Sequence, residues 1–183
     1  MIKLLFVLIF LLSEGFAQPF DECFNQASNT YKVPKELLIA IASVESKFNP
    51  LAINYNKNGS YDIGIMQINS YWFSQLNAIG ISEASLKQPC QNIVVGTWIL
   101  AKSIKSTGFN WNAIQHYNGS DPQLSYAKKV YLELKRLNPE LVKSKIIFNS
   151  DYSESQQLTA SNVNKPDISQ KLLLPKSHFL YVN

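Results

Sequence analysis

The chain has 183 residues, a net charge of +4, an isoelectric point near 9.0, two cysteines and two histidines. Its lysines and arginines are scattered and are not interleaved with aromatic residues, which argues against a nucleic-acid-binding surface. The cysteines and histidines have no metal-ligand spacing, so neither a structural zinc site nor any other metal or cofactor is predicted. Residues 18–138 are enough for one compact domain.

The N-terminus has the pattern of a secretory signal peptide. Lys3 is followed by an apolar run over residues 4–12 and by small residues that end at Ala17. The apolar run is too short for a helix across a bilayer, which needs about 20 residues. We therefore predict a cleaved signal peptide over residues 1–17, export to the periplasm and no stable membrane anchor.

An even number of cysteines in an exported protein is typical of disulfide pairing. The sequence therefore predicts a bridge between Cys23 and Cys90, with two free buried thiols as the alternative. Such a bridge closes a long loop, which the chain-entropy account values at about 4 kcal/mol.

The mature chain is predicted to be mainly helical. Helical patterns cover residues 21–31, 35–47, 70–76, 82–86 and 112–117, a long segment between Pro89 and Gly108, and a last helix that opens at Asp121-Pro122. Between the second and third helices, Asn58-Gly59 is a strong hairpin-turn signal. We predict a mainly α (α+β) domain with a small β-hairpin beside the end of helix 35–47. Residues 139–183 lack a sustained helical stripe and are predicted to be a flexible or accessory tail.

Glu45 is the most informative position in the chain. Ile41 and Leu38 precede it by four and seven residues, so helical spacing places Glu45 on an apolar face. Burial raises the pKa of a carboxyl group, which then holds its proton. A carboxylic acid that is protonated near neutral pH can act as a general acid. The alternative is a structural glutamate at a helix end, satisfied by backbone or by a lysine.

Three short segments form a recognisable set. They are Glu-Ser-Lys-Phe-Asn-Pro at 45–50, Gly-Ile-Met-Gln-Ile-Asn at 64–69 and Ala-Ile-Gln-His-Tyr-Asn-Gly at 113–119. In this order they closely resemble the signature of the lytic transglycosylases of the soluble-lytic-transglycosylase type, over about residues 20–137. The resemblance implies a lysozyme-like fold and cleavage of peptidoglycan glycan strands. The nearest likeness is to small members attached to type III secretion, type IV secretion and pilus systems, above all the invasion-associated ones, which also share Cys23 and Pro89-Cys90.

The resemblance also implies roles for single residues, with Glu45 as the catalytic acid and base. The expected glycan-binding residues are Ser46 beside the cleaved bond, Met66 and Gln67 nearest the sugar, Tyr117 with its hydroxyl on Glu45, Asn118 in the cleft floor and Tyr126 in the cleft lining. Taken singly, each has a structural interpretation: the tyrosines and Met66 as core residues, and Ser46 as a helix cap. The order of the three motifs favours the functional interpretation, in which these residues bind the glycan.

The resemblance implies a reaction that needs one carboxylate. Glu45 would protonate the leaving oxygen, and the C6 hydroxyl of the muramic acid would attack to give a 1,6-anhydro sugar, helped by the high effective concentration of a tethered group. Asp62, in the hairpin, is predicted to be structural and to bond loop amides near the cleft. The alternatives are a hydrolytic lysozyme on the same fold, with Asp62 placing a water, and a non-enzymatic module that grips glycan or scaffolds a secretion apparatus.

Overall fold

The computed structural model describes residues 20–143; the predicted signal peptide and the part of the predicted tail beyond residue 143 lie outside that range. The helices are α1 (Asp21–Tyr31), α2 (Lys35–Ser46), α3 (Phe73–Ala78), α4 (Glu83–Leu86), α5 (Pro89–Thr107), α6 (Trp111–Asn118), α7 (Ser125–Leu137) and α8 (Pro139–Lys143). A 3-10 turn at Ser70–Trp72 precedes α3. The strands β1 (Ile53–Tyr55), β2 (Tyr61–Ile63) and β3 (Ile68–Asn69) form one antiparallel sheet in that order. The predicted lysozyme-like, mainly helical fold with a small sheet is confirmed.

Helix α2 is the centre of the core. Its residues from Leu37 to Ala42 are all buried, so the middle of this helix is apolar on every side, as expected where a helix is enclosed by others. Helices α1 and α7 pack against it, and α5 packs against α1 and α6. The helix ends after Ser46, where Lys47 and Phe48 both adopt left-handed backbone angles, with φ of 54° and 63°. This abrupt end places Glu45 in the final turn of the most buried helix.

The predicted hairpin is present, with Ile53 opposite Ile63 and Tyr55 opposite Tyr61. The sequence pattern treats residues 61–69 as one arm, whereas the structure divides them into β2 and β3. The division is a tight turn over residues 64–67, in which Gly64 has a φ of 77° and Gln67 a φ of 49°. The turn brings the backbone of Met66 against α5, where its N–H donates to Asn92 Oδ1 at 2.7 Å.

The start of α7 also differs from the sequence pattern. The Asp121-Pro122 pair predicts a helix from residue 121, whereas α7 begins at Ser125. Asp121 still acts as a cap, because its carboxylate accepts hydrogen bonds from the backbone N–H groups of Gln123 at 3.0 Å and Ser125 at 3.1 Å. Leu124, with a φ of 53°, separates this capping turn from the helix.

A disulfide joins Cys23 in α1 to Cys90 in the first turn of α5, with 5.0 Å between the Cα atoms. At the other end of the domain, Leu141 and Val142 of α8 pack against the core, so ordered structure extends past residue 138. Across residues 20–143, no helix combines the length and apolar character that crossing a membrane requires.

Candidate active site

Glu45 lines an open cleft with a volume of about 630 Å³. One wall of the cleft is the sheet, which contributes polar side chains between Asn54 and Asn69. The other wall is the C-terminal end of α6, from His116 to Gly119. Tyr71 and Trp72 close one end of the sheet wall. A polar cleft of this size with one acid in its wall suits an extended substrate that is rich in hydroxyl and amide groups.

The carboxyl group of Glu45 holds its proton far better than an ordinary glutamate. Its pKa is raised from 4.5 to about 7, chiefly by burial; the Tyr126 hydroxyl opposes this rise, the nearby Asp62 carboxylate adds to it, and the Lys129 ammonium opposes it. A group with this pKa is about half protonated at pH 7. It can therefore donate a proton to a substrate and accept one back at the same pH.

The hydroxyl that contacts Glu45 belongs to Tyr126, which donates a hydrogen bond to Glu45 Oε1 at 2.5 Å. The expectation that Tyr117 points its hydroxyl at Glu45 is wrong, because Tyr117 donates to the backbone carbonyl of Met66 at 2.6 Å. The reason is packing: α7 lies along α2, which brings Tyr126 to Glu45. Burial raises the pKa of both tyrosines well above the usual value, so both keep their protons and remain donors.

The turn at residues 64–67 is held from behind by Asn92 of α5. Its Oδ1 accepts from the Met66 N–H at 2.7 Å, and its Nδ2 donates to the carbonyls of Ile63 and Leu86, both at 2.9 Å. A Cβ on Gly64 would lie 2.2 Å from Asn92 Nδ2, so only glycine fits there. The sequence motifs missed Asn92. The available signal was an amide directly before the apolar run from Ile93 to Val95 on a helix.

Ser46 and Met66 lie behind the cleft wall. Met66 is fully buried and does not line the cleft, so its side chain is not placed for the expected sugar contact; a Cβ on Gly96 would come within 2.6 Å of Met66 Cβ. The Ser46 hydroxyl donates to the Ile65 carbonyl at 2.8 Å and ties the turn to the end of α2. Both residues hold the turn in place: the Ser46 hydroxyl bonds the Ile65 carbonyl, and the Met66 N–H bonds Asn92 of α5, so these buried backbone groups have partners.

Gln67, Tyr117 and Asn118 line the cleft beside Glu45, as the sequence motifs imply. The Gln67 amide is already engaged with protein groups: Nε2 donates to the Gly64 carbonyl at 2.7 Å, and Oε1 accepts from Asn54 Nδ2 at 2.5 Å. These two hydrogen bonds hold the Gln67 side chain in one orientation in the cleft. Asn118 is exposed at the end of α6 and offers both a donor and an acceptor.

Asp62 lines the same cleft and is held by two side-chain amides. Asn69 Nδ2 donates to its Oδ1 at 2.6 Å, and Asn56 Nδ2 donates to its Oδ2 at 2.9 Å. These are the loop amides that the structural interpretation of Asp62 requires. Within residues 20–143, no group of three or more histidine, cysteine, aspartate or glutamate side chains is arranged to hold a metal ion.

Comparison with known proteins matches nearly the same range of the chain as the sequence motifs do. The family model of the transglycosylase SLT domain matches residues 22–136. The chain is 42% identical over 144 residues to Invasion protein IagB of Salmonella typhi, which covers 73% of this chain and 89% of that protein. It is 37% identical over 126 residues to Protein IpgF of Shigella sonnei, a match that covers 65% of this chain and 83% of that protein. It is also 35% identical over 155 residues to a peptidoglycan-binding-like protein of Escherichia coli O157:H7, a match that covers 74% of this chain and 92% of that protein.

Proposed function

Because the chain belongs to the transglycosylase SLT domain family, we propose that it is an exported peptidoglycan lytic transglycosylase. Its reaction cleaves the β-1,4 bond between N-acetylmuramic acid and N-acetylglucosamine and leaves a 1,6-anhydro end on the muramic acid. The observation that carries this proposal is the state of Glu45. A partly buried carboxyl with a pKa of about 7 lies in the wall of a polar cleft and is oriented by the Tyr126 hydroxyl.

The first step is bond cleavage. Protonated Glu45 donates its proton to the glycosidic oxygen, the C1–O bond breaks, and the N-acetylglucosamine part leaves with a new hydroxyl. Positive charge develops at C1 of the muramic acid, where the oxygen of its own N-acetyl group stabilises it. Burial supports this step because it keeps a fraction of Glu45 protonated near neutral pH.

The second step is ring closure. The C6 hydroxyl of the same sugar attacks C1 and forms the C1–O6 bond, and its proton passes to the Glu45 carboxylate. Glu45 is then protonated again and no water has been consumed. Tyr126 stays protonated throughout because burial raises its pKa well above the usual value, so it holds the carboxylate in place between the two steps.

Hydrolysis on the same scaffold is the second candidate. It needs a group that activates water, and Asp62 is the carboxylate that shares the cleft with Glu45. Both Asp62 oxygens already accept hydrogen bonds, from Asn56 and Asn69. This engagement favours a structural role for Asp62 and hence the transglycosylase reaction.

Digestion of purified peptidoglycan tests the proposal. The wild-type protein should release anhydro-ended fragments, each lighter by one water than the product of hydrolysis. Loss of a general acid lowers turnover by about 10²–10⁴-fold, so Glu45→Gln should be nearly inactive. Glu36→Gln removes an exposed glutamate from the first turn of the same helix and should retain wild-type turnover. Wild-type turnover by Glu45→Gln would refute the assignment.

We propose that the protein acts in the periplasm, where it opens the peptidoglycan cell wall locally for a secretion or pilus system. Two observations support it: one relative is named an invasion protein, and a disulfide pair suits an oxidising compartment. Export predicts that the mature protein begins at Gln18, which mass spectrometry of the periplasmic fraction can check. The cellular role predicts that a Glu45→Gln allele, expressed at normal abundance, impairs assembly of the apparatus.

A further inference from the structure

The first turn of α7 is capped from a different helix. Its leading N–H groups have no partner within the helix, and the residue at its N-cap position provides no side-chain bond. Asp121 accepts from the Ser125 N–H at 3.1 Å. The N–H groups of Tyr126 and Ala127 both donate to Oε1 of Gln115, at 3.0 and 3.2 Å. Gln115 lies on α6, so α6 satisfies the backbone donors of α7.

Gln115 is an unusual residue to find here, since it is a buried amide with 3% of its surface exposed. Its other end is used as well: Nε2 donates to the Gly119 carbonyl at 3.2 Å, at the edge of the cleft. The side chain therefore connects the cleft end of α6 to the first turn of α7. A buried amide that bonds through both its oxygen and its nitrogen fixes the relative position of the groups it joins.

The position of this turn determines where the Tyr126 hydroxyl lies. Tyr126 is the second residue of α7, and its backbone N–H is one of the two groups bound to Gln115. The hydroxyl at the other end of the same residue is 2.5 Å from Glu45 Oε1. We propose that Gln115 is a positioning residue that holds the Tyr126 hydroxyl on Glu45 by capping the first turn of α7. This inference rests on the proposed function of Glu45 as the acid.

The electrostatic consequence follows from the groups around Glu45. Asp62 faces it from β2, Tyr117 and His116 share its cleft from α6, and Lys129 acts on it from α7. Gln115 is itself neutral, so replacing it by another neutral side chain removes none of these groups and changes no charge. The Tyr126 bond favours the ionised carboxylate, so weakening that bond raises the pKa of Glu45.

The test is a carbon-13 NMR titration of the Glu45 carboxyl group, with Glu45→Gln to assign the signal. Tyr126→Phe should raise the midpoint by roughly 1–2 pH units, the effect of losing one hydrogen bond to a charged group. Gln115→Met, which keeps length and removes the amide, should raise it in the same direction. The double variant should shift no further than Tyr126→Phe alone. An unchanged midpoint in Gln115→Met, or additive shifts in the double variant, would overturn the proposal.

A matched control separates positioning from general loosening of a helix. Ser82 caps α4 through its hydroxyl, which accepts from the Ser85 N–H at 3.1 Å, and Ser82→Ala should leave the Glu45 midpoint unchanged. An equal shift in Ser82→Ala would also overturn the proposal. Hydrogen exchange can be measured on the wild-type protein and so does not depend on whether a variant folds. The backbone amides of Tyr126 and Ala127 should be protected from exchange. Exchange of these two amides at the rate of free amides would refute the cap.

Neither measurement uses the glycan. A wild-type protein that fails to cleave peptidoglycan would refute the proposed function while the titration still decides the role of Gln115. Conversely, an active protein whose Glu45 midpoint ignores Gln115 would refute only the positioning role.

Discussion

The Tyr126 hydroxyl and Glu45 Oε1 are 2.5 Å apart, although the two residues are separated by 81 positions in the chain. The hydrogen bond joins the first turn of α7 to the last turn of α2, and it acts against burial, which raises the pKa of Glu45. The balance leaves that pKa at about 7. An acid that must first donate and then accept a proton benefits from this balance, because both forms are populated at neutral pH.

The two tyrosines near Glu45 should respond differently to loss of their hydroxyls. Tyr126→Phe keeps the ring packing and removes the bond that favours the carboxylate, so the pKa of Glu45 rises. Activity requires protonated Glu45 and falls as pH rises through this pKa, so the descending limb of the pH–rate profile should move to higher pH, by roughly 1–2 units. Turnover should also fall by about tenfold because the carboxyl is less well oriented.

Tyr117→Phe provides the comparison for that profile. It loses the hydrogen bond to the Met66 carbonyl and no bond to Glu45, so its descending limb should coincide with that of the wild type. A limb that moves in Tyr117→Phe and not in Tyr126→Phe would reinstate the assignment that the sequence motif suggests.

The ionisation of Glu45 should also appear in the stability of the protein. Its pKa is about 7 when folded and near 4.5 when unfolded, so the folded state is favoured below pH 4.5 and loses that advantage as pH rises to about 7. The loss is about 3 kcal/mol. Glu45→Gln cannot ionise, so its free energy of unfolding relative to wild type should increase by about this amount between pH 4 and pH 8.

Urea unfolding at pH 4, 6 and 8 measures this difference. Glu36→Gln, at an exposed position in the first turn of α2, should change stability by less than about 1 kcal/mol at each pH. A Glu45→Gln difference that is the same at all three pH values would mean that the carboxyl is not held protonated by the fold.

Much of this site is readable in the sequence, for local reasons. Helical spacing alone places Glu45 on the apolar side of α2, and Asn58-Gly59 alone predicts the hairpin beside it, because both signals depend on residues a few positions apart. The order of the three motifs then indicates the family, which the SLT domain match confirms.

The remaining parts of the site depend on how helices pack. The choice between Tyr117 and Tyr126 as the partner of Glu45 is set by α7 lying along α2, which no motif encodes. Asn92 bonds the Met66 N–H, 26 residues away, and Gln115 bonds the Tyr126 N–H, 11 residues away, so neither their sequence neighbours nor their propensities indicate these bonds. Met66, which lies within a motif, is a core residue because its turn folds back against α5.

The turn behind the cleft should be sensitive to a single methyl group. In Gly64→Ala the new Cβ would strike Asn92 Nδ2 and the residue would have to hold a φ of 77°. We expect a loss of about 2–4 kcal/mol in the free energy of unfolding, because the Asn92 hydrogen bonds are disturbed as well. Gly59→Ala has a similar φ of 83° and open space around the Cβ, so it should lose only about 1 kcal/mol. Equal losses in urea unfolding would contradict the role of Asn92.

The bridge between Cys23 and Cys90 spans 67 positions of the chain. Closing a loop of this length restricts the unfolded state by about 4 kcal/mol in the chain-entropy account. The Cys23→Ser, Cys90→Ser double variant should therefore unfold at lower urea concentration, and a reducing agent should destabilise the wild type and leave the double variant unchanged. A wild type that is insensitive to reduction would show that the pair contributes no stability.

The central claim is that Glu45 cleaves the glycan by proton transfer alone, without consuming water. Digestion of purified peptidoglycan in water enriched in oxygen-18, followed by mass spectrometry, tests it most directly. We predict unlabelled fragments with 1,6-anhydro ends from the wild-type protein, and no fragments from Glu45→Gln. Fragments that carry one oxygen-18 at the reducing end, with the mass of hydrolysis products, would contradict the claim.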